Sequence, residues 1–251
     1  MFDTYSQIFD RRADAYHAAM RAHPLARHHE FEAVLQRLAP VGGERVLDAP
    51  AGGGYLKAWL PARVTWIAVE PAAGFSGHLG GANRGDRLLN CALEAMVLPA
   101  SSVDACVSLA GVHHLPDRSL FYREVARVLR PGGRFVLADV ATDSPVAQFL
   151  NGYCNEANSM GHDGCFLGEE TPADLDACGF DVVADEQVPC PWSFTNRAEL
   201  GYFCRLLFGL DRAGSAEAVC AAAERTVGLD FEPGRSVRMA WSLRMLTCTV
   251  R

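Results

Sequence analysis

The chain has no run of lysine and arginine, and its 251 residues carry a formal charge of −7. Partners that present a phosphate backbone are held by clustered cations, so no nucleic acid is expected here. No apolar stretch is long enough to cross a bilayer, and the opening Met1-Phe2-Asp3-Thr4-Tyr5 has neither a basic nor an apolar leader region. A cytoplasmic location without a membrane partner is therefore expected. The nine cysteines are odd in number, with no Cys-x-x-Cys and none at zinc-site spacing with histidine. They read as small buried apolar side chains, and no metal is expected. Repeats, linkers and low-complexity runs are missing too, so residues 1–251 are read as one domain around one substantial core.

What is present is a cradle. Arg45-Val46-Leu47-Asp48 is a short apolar strand, Ala49-Pro50-Ala51-Gly52-Gly53-Gly54 a turn of small residues, and Tyr55 to Leu60 the start of a helix. A turn without bulky side chains lets a ligand meet the backbone, and a helix beyond it turns free N–H groups toward that ligand. Val64 to Val69 forms a second strand ending in Glu70, about twenty residues on, the spacing of an acid that accepts from ribose hydroxyls. The Gly-x-Gly-x-x-Gly of dinucleotide dehydrogenases is not met, because Lys57 stands at the last position.

With that cradle and acid, the chain resembles the class I (Rossmann-like) methyltransferases that use S-adenosyl-L-methionine (AdoMet). Val46 to Gly54 is similar to their first motif, with Pro50 where many members carry a first glycine and with Gly52 and Gly54 retained. The second block runs through strand Val103 to Leu109, the loop Ala110-Gly111-Val112-His113-His114-Leu115-Pro116, a helix from Asp117, Pro131-Gly132-Gly133 and strand Arg134 to Val140. The resemblance covers about residues 44 to 140. It implies an α/β fold with a doubly wound, mostly parallel seven-stranded sheet, an antiparallel last strand, a helical N-terminal lid over residues 1–40 and a helical insertion before the last strand. Residues 44–140 are then the cofactor core and 141–251 the acceptor side, with the insertion at 195–236.

The resemblance assigns cofactor contacts to Asp48, Ala49, Ala51, Gly52, Gly54, Glu70 and Pro71. Glu94, the Ala95 N–H and Met96 would meet the adenine, and Leu109 and Ala110 the methionine portion. Helices are expected at Phe9 to Met20 and Glu30 to Leu38 from their apolar spacing. Tyr5, Phe9, Arg12 and Tyr16 are then lid candidates over the sulfonium. His113 and His114 fall where the methyl would emerge, with Tyr16 a further catalytic candidate, and a histidine there is suited to general-base work. The polar, irregular stretch 151–166, with its amides and His162, is the candidate acceptor site, and Ala198 to Leu210 and Ala216 to Val227 are the helices of the insertion.

The function implied is methyl transfer to a small-molecule acceptor by in-line displacement. Two alternatives remain open at this point: intramolecular chemistry on the cofactor that releases methylthioadenosine, and a non-catalytic AdoMet-binding module. The partners implied are a small-molecule substrate and, through the apolar insertion helix, a second copy of the chain as a homodimer.

Overall fold

The computed structural model describes residues 5–78, 85–232 and 236–251. Met1 to Thr4 lie outside these residues. Two helices come first, α1 (Tyr5–Ala22) and α2 (His28–Leu38). The core then alternates strand and helix: β1 (Arg45–Asp48), β2 (Thr65–Val69), α3 (Ala73–Ser76), β3 (Arg87–Leu89), β4 (Val103–Leu109), α4 (Ser119–Val128) and β5 (Leu129–Asp139). Further on lie α5 (Pro145–Gln148), α6 (Asn155–Ala157), α7 (Thr171–Ala177), β6 (Phe180–Pro189), β7 (Trp192–Phe194), α8 (Arg197–Leu207) and α9 (Ala216–Thr226). The chain closes with β8 (Leu229–Glu232), β9 (Ser236–Met239) and β10 (Ser242–Val250).

The main sheet runs β3-β2-β1-β4-β5-β10-β6, with β10 antiparallel to both of its neighbours. This is the expected seven-stranded sheet. Alternate residues of its central strands enter different packing layers. Val46, Ala105, Val107, Val136 and Ala138 face α2 and the insertion, whereas Leu47, Cys106, Phe135 and Leu137 face α4 and α7. Chain order reverses between β1 and β4, so the C-terminal ends of these strands flank the crevice where such sheets bind ligands.

Several expectations change. The helix after the cradle is a five-residue 3-10 turn, Tyr55–Trp59, because Gly54 enters it from the left-handed region (φ 73°) and Pro61 follows. The third strand is shorter than the expected Arg87 to Ala92. The Pro-Gly-Gly stretch lies inside β5, where the pairing with β4 shifts register, and does not lead up to the strand. Residues 145–157 are helical, with a π-helical turn at Phe149–Cys154, instead of irregular. Ser144 caps that helix by accepting from the Ala147 N–H at 3.0 Å, and Pro145 sits in its first turn. The last strand begins at Ser242, since Met239 belongs to a separate sheet, β7-β9-β8, which adds strands to the helical insertion.

Helix α8 buries Leu200, Phe203, Cys204 and Leu207 and leaves Tyr202 outside. It crosses the start of α9 so closely that a Cβ at Gly201 would stand 2.1 Å from the Ala216 carbonyl oxygen. The obstacle is backbone and cannot turn aside. Gly201→Ala is expected to cost about 1–3 kcal/mol, lowering the melting midpoint by roughly 2–4 °C per kcal/mol. A thermal melt that does not move would show that the two helices separate freely.

Candidate active site

The first site element is the cradle. Gly52 has φ 52°, and a Cβ built on it meets nothing within 4 Å, so the turn faces open space on its ligand side. Its N–H donates to Glu70 Oε2 at 2.7 Å, the Ala72 N–H donates to Oε1 at 2.8 Å, and the Tyr5 hydroxyl donates to Oε2 at 3.1 Å. Glu70 is thus oriented by the turn after β1 and by its own strand end, and α1 covers it through Tyr5.

Burial pushes the Glu70 carboxyl up to about 7, against the pull of these donors. Asp48, at the end of β1, is also pushed up to about 7, first by burial and further by the negative Glu70, although the Trp66 indole donates to it at 3.1 Å. Two buried carboxyls with raised pKa values around a glycine turn suit a ligand that brings positive charge and hydroxyl groups. The residues therefore fit AdoMet, a sulfonium ammonium nucleoside.

Two spaces open from this region. A small one of about 60 Å³ is bounded by Asp48, Ala51, Gly52, Tyr16, Leu109 and Ala110. A larger one of about 1010 Å³ runs past Pro71, Asn90, Cys91 and Glu94 to His113, His114 and His162. Tyr5 lines both, standing over Glu70 between them.

Among the expected contacts, Asp48, Ala51, Gly52, Leu109 and Ala110 gather at the small space, and Pro71 and Glu94 at the large one. Five others do not reach either lining. Glu70 is wholly buried, its oxygens accepting from Gly52, Ala72 and Tyr5. Ala49 is wholly buried among the core side chains, and Gly54 starts the 3-10 turn. Met96 is buried in the layer between sheet and α4, so it offers no face to a ring in the cavity. The Ala95 N–H donates to the Ala92 carbonyl at 3.3 Å and closes a turn of its own. The short loop after β3 thus meets the cavity through residues 90–94, and of the three residues expected at the adenine only Glu94 lines it.

The second site element is a set of histidines. His113 follows β4, and its Nδ1 lies 2.7 Å from Asp139 Oδ1 at the end of β5, while its N–H donates to Oδ2 at 3.1 Å. Burial would raise Asp139, but the His113 imidazole beside it and the His113 and Val140 N–H donors hold it below the usual carboxylate range. An ionised Asp139 accepts the Nδ1 proton and leaves Nε2 as the basic nitrogen. The ring of His114 lies 4.2 Å from that of His113, and His162 lies 5.6 Å from His113. Burial and the neighbouring His113 push His114 well down, and the same causes with Arg12 push His162 down to about 3. Both are neutral near pH 7.

Tyr16 is not an acid–base group in this arrangement. Its hydroxyl accepts from Arg27, its ring stacks on Tyr55 at 5.9 Å, and it forms a wall of the space beside Gly52. In stretch 151–166 the amides mostly hold the loop. Asn151 Oδ1 accepts from the Gly164 N–H and Asn155 Oδ1 from the His162 N–H, at 2.8 and 2.7 Å, and the loop lends the cavity His162, Asp163 and Cys165. Asp139 and Arg27 were missed from the sequence. An acid ending the strand beside the histidine loop was the available signal for Asp139. Arg27 had none, since its partners Glu30 and Trp192 are a helical turn and 165 residues away.

A strand order of this kind, with an acid after β2 and a glycine cradle after β1, defines an AdoMet-binding enzyme fold. The comparisons agree. Residues 47–137 match the family described as a methyltransferase domain. The methyltransferase GfsG of Streptomyces halstedii is 33% identical over 204 residues, which are 74% of this chain and 70% of that protein. The 27-O-demethylrifamycin SV methyltransferase of Amycolatopsis mediterranei is 46% identical over 56 residues, 22% of this chain and 21% of that one. Among solved structures, a SAM-dependent methyltransferase of Thermotoga maritima superposes with a TM-score of 0.62 at 16% identity, covering 98% of this chain and 100% of that one. The chain belongs to the class I AdoMet-dependent methyltransferases. No helix among the described residues is long and apolar enough to cross a membrane.

Two outcomes follow for the cradle. Glu70→Ala removes a charged acceptor and should weaken AdoMet binding by roughly thirty- to a thousand-fold, a loss on the order of 2–4 kcal/mol, read by calorimetry. Unchanged affinity would take Glu70 out of the site. The pH dependence has a definite sign. Asp48 and Glu70 are raised on folding, so their contribution to stability is present below the unfolded carboxyl range and is lost as pH rises through about 7. A cationic ligand favours the ionised pair, so the melting shift given by AdoMet should grow between pH 6 and 8. Asp48→Asn should flatten that growth, and an AdoMet shift independent of pH would contradict it.

Proposed function

We propose that the protein transfers the methyl group of AdoMet to a hydroxyl oxygen of a small-molecule acceptor, with His113 as general base and Asp139 as the residue that orients it. The observation that carries this reading is the His113–Asp139 contact of 2.7 Å at the wall of the 1010 Å³ cavity. AdoMet, when bound, supplies an electrophilic methyl on sulfur. What remains for the chain is alignment, exclusion of water and removal of the acceptor's proton.

His113 takes the hydroxyl proton at Nε2, and the imidazolium so formed is stabilised by Asp139, which keeps its own charge. The neutral His114 and His162 offer hydrogen bonds to the acceptor without competing for that proton. Helix α1 places Tyr5, Phe9 and Tyr16 over the space between cradle and histidines, where they exclude water. The name of the Amycolatopsis relative, a methyltransferase of 27-O-demethylrifamycin SV, supports an oxygen acceptor of moderate size.

Incubation with AdoMet and small-molecule extracts should yield a product heavier by one methyl group, together with S-adenosylhomocysteine. Turnover of AdoMet alone to methylthioadenosine would replace this reading with intramolecular chemistry. Intact AdoMet after long incubation with every acceptor pool would make the protein a binding module. Once an acceptor is in hand, His113→Asn should lower kcat by roughly 10²- to 10⁴-fold with little change in AdoMet affinity. Asp139→Asn should lower kcat as well. A normal rate in His113→Asn would mean that the acceptor needs no base.

A further inference from the structure

The cavity that holds the histidines also holds a buried cation with no counter-ion among the described residues. Arg12, on α1, is only 9% exposed. Its Nη2 donates to the Leu207 carbonyl at 2.7 Å, and its Nε has no hydrogen-bond partner. No carboxylate among the described residues pairs with it. Asp211, an acid whose field reaches it, accepts from the Ser159 N–H at 2.7 Å instead. Burial alone pushes the guanidinium down to about 10, which still leaves it charged at neutral pH.

An unpaired buried guanidinium costs several kcal/mol unless something compensates it. The fold nevertheless makes room for it: Gly209 turns with φ 62°, and a Cβ there would come 2.8 Å from Arg12 Nε. The other buried arginine of the lid region, Arg27, shows the contrast, because Glu30 meets both its Nε and its Nη2 at 2.9 and 2.5 Å. Its other contact is the face of the Phe9 ring, 5.8 Å from Arg12 Cζ. A guanidinium with no carboxylate of its own at a cavity wall is a binding group waiting for its partner.

We infer that Arg12 recognises a carboxylate on the acceptor, with the neutral His114 and His162 as additional hydrogen-bonding partners. This deepens the methyl-transfer reading and rests on it for the word acceptor. Arg12 borders the large cavity and the small apolar one behind it, lined by Trp192, Phe208 and Trp241. It does not border the space beside Asp48 and Gly52, which favours the acceptor over the cofactor as its partner. The ring nitrogens of His113, His114 and His162 lie within 4.8 Å of one another, a spacing that also suits a metal ion. The guanidinium whose field acts on His114 and His162 opposes a cation and favours an anion.

Binding measured without turnover tests this apart from the catalytic reading. With S-adenosylhomocysteine present, calorimetry compares 4-hydroxycinnamate with its neutral amide. The acid should bind at least tenfold more tightly, as a charge-assisted fork contact does. Arg12→Gln, which keeps a donor for the Leu207 carbonyl, should abolish the preference and leave AdoMet affinity unchanged. Arg12→Met removes the unpaired charge and should raise the melting midpoint by roughly 2–4 °C, where a purely structural arginine would give a fall. Equal binding of acid and amide, no binding of the acid, or a preference surviving in Arg12→Gln overturns the inference. So does a loss of AdoMet affinity in that variant, which would assign the guanidinium to the cofactor, or one zinc ion retained per chain after gel filtration.

Discussion

The lid, the insertion and the cofactor cradle are held in register by one buried charge. Arg27 lies just before α2, and Glu30, in the first turn of that helix, is wholly buried against it. Burial works against the guanidinium, but Glu30 and the Tyr16 hydroxyl beside it keep it ionised. Glu30 spends its other oxygen on the Trp192 indole at 2.6 Å, and Trp192 stacks on Trp241 at 4.1 Å, with the Arg27 guanidinium over its face. Tyr16 then reaches from this network to the rim of the glycine turn. Removing either charge would strand the other in a dry interior, which is far costlier than the pair itself. The network ties α1 and the start of α2 to β7 and to the segment just after β9.

The same principle of burial sets the chemistry of the site with opposite signs. It lifts Asp48 and Glu70 toward neutrality beside the glycine turn, and it keeps His114 and His162 unprotonated around His113. Asp139 stands behind His113, its Oδ1 2.7 Å from the ring Nδ1.

The cofactor side was legible in the sequence because its signals are local. A buried strand, a turn of small residues and an acid at a fixed distance each need only a short window, and the turn and the acid do meet, the Gly52 N–H donating to Glu70. Placements that depend on exact register within a loop were less so: Met96 and Ala95 were assigned to the adenine, and the chain turns them into the core and into a local turn. The acceptor side was hardest. Residues 145–157 looked irregular because asparagines interrupt the apolar pattern, although Phe149, Leu150, Cys154 and Ala157 are buried along one helical stretch. In the β7-β9-β8 sheet, β7 pairs with β9 across both insertion helices, which no window captures. Asp139 and Arg27 gain their roles only through partners brought close by folding.

Helix α1 contributes to both ends of the site. Tyr5, in its first turn, holds the acid that faces the cofactor, and Arg12, two turns later, forms part of the acceptor wall. A rigid helix cannot uncover one without shifting the other. If the cofactor lies against Glu70 and the acceptor against Arg12, as proposed, exchanging the one disturbs the wall of the other, and the two ends of the site are mechanically linked through a single helix.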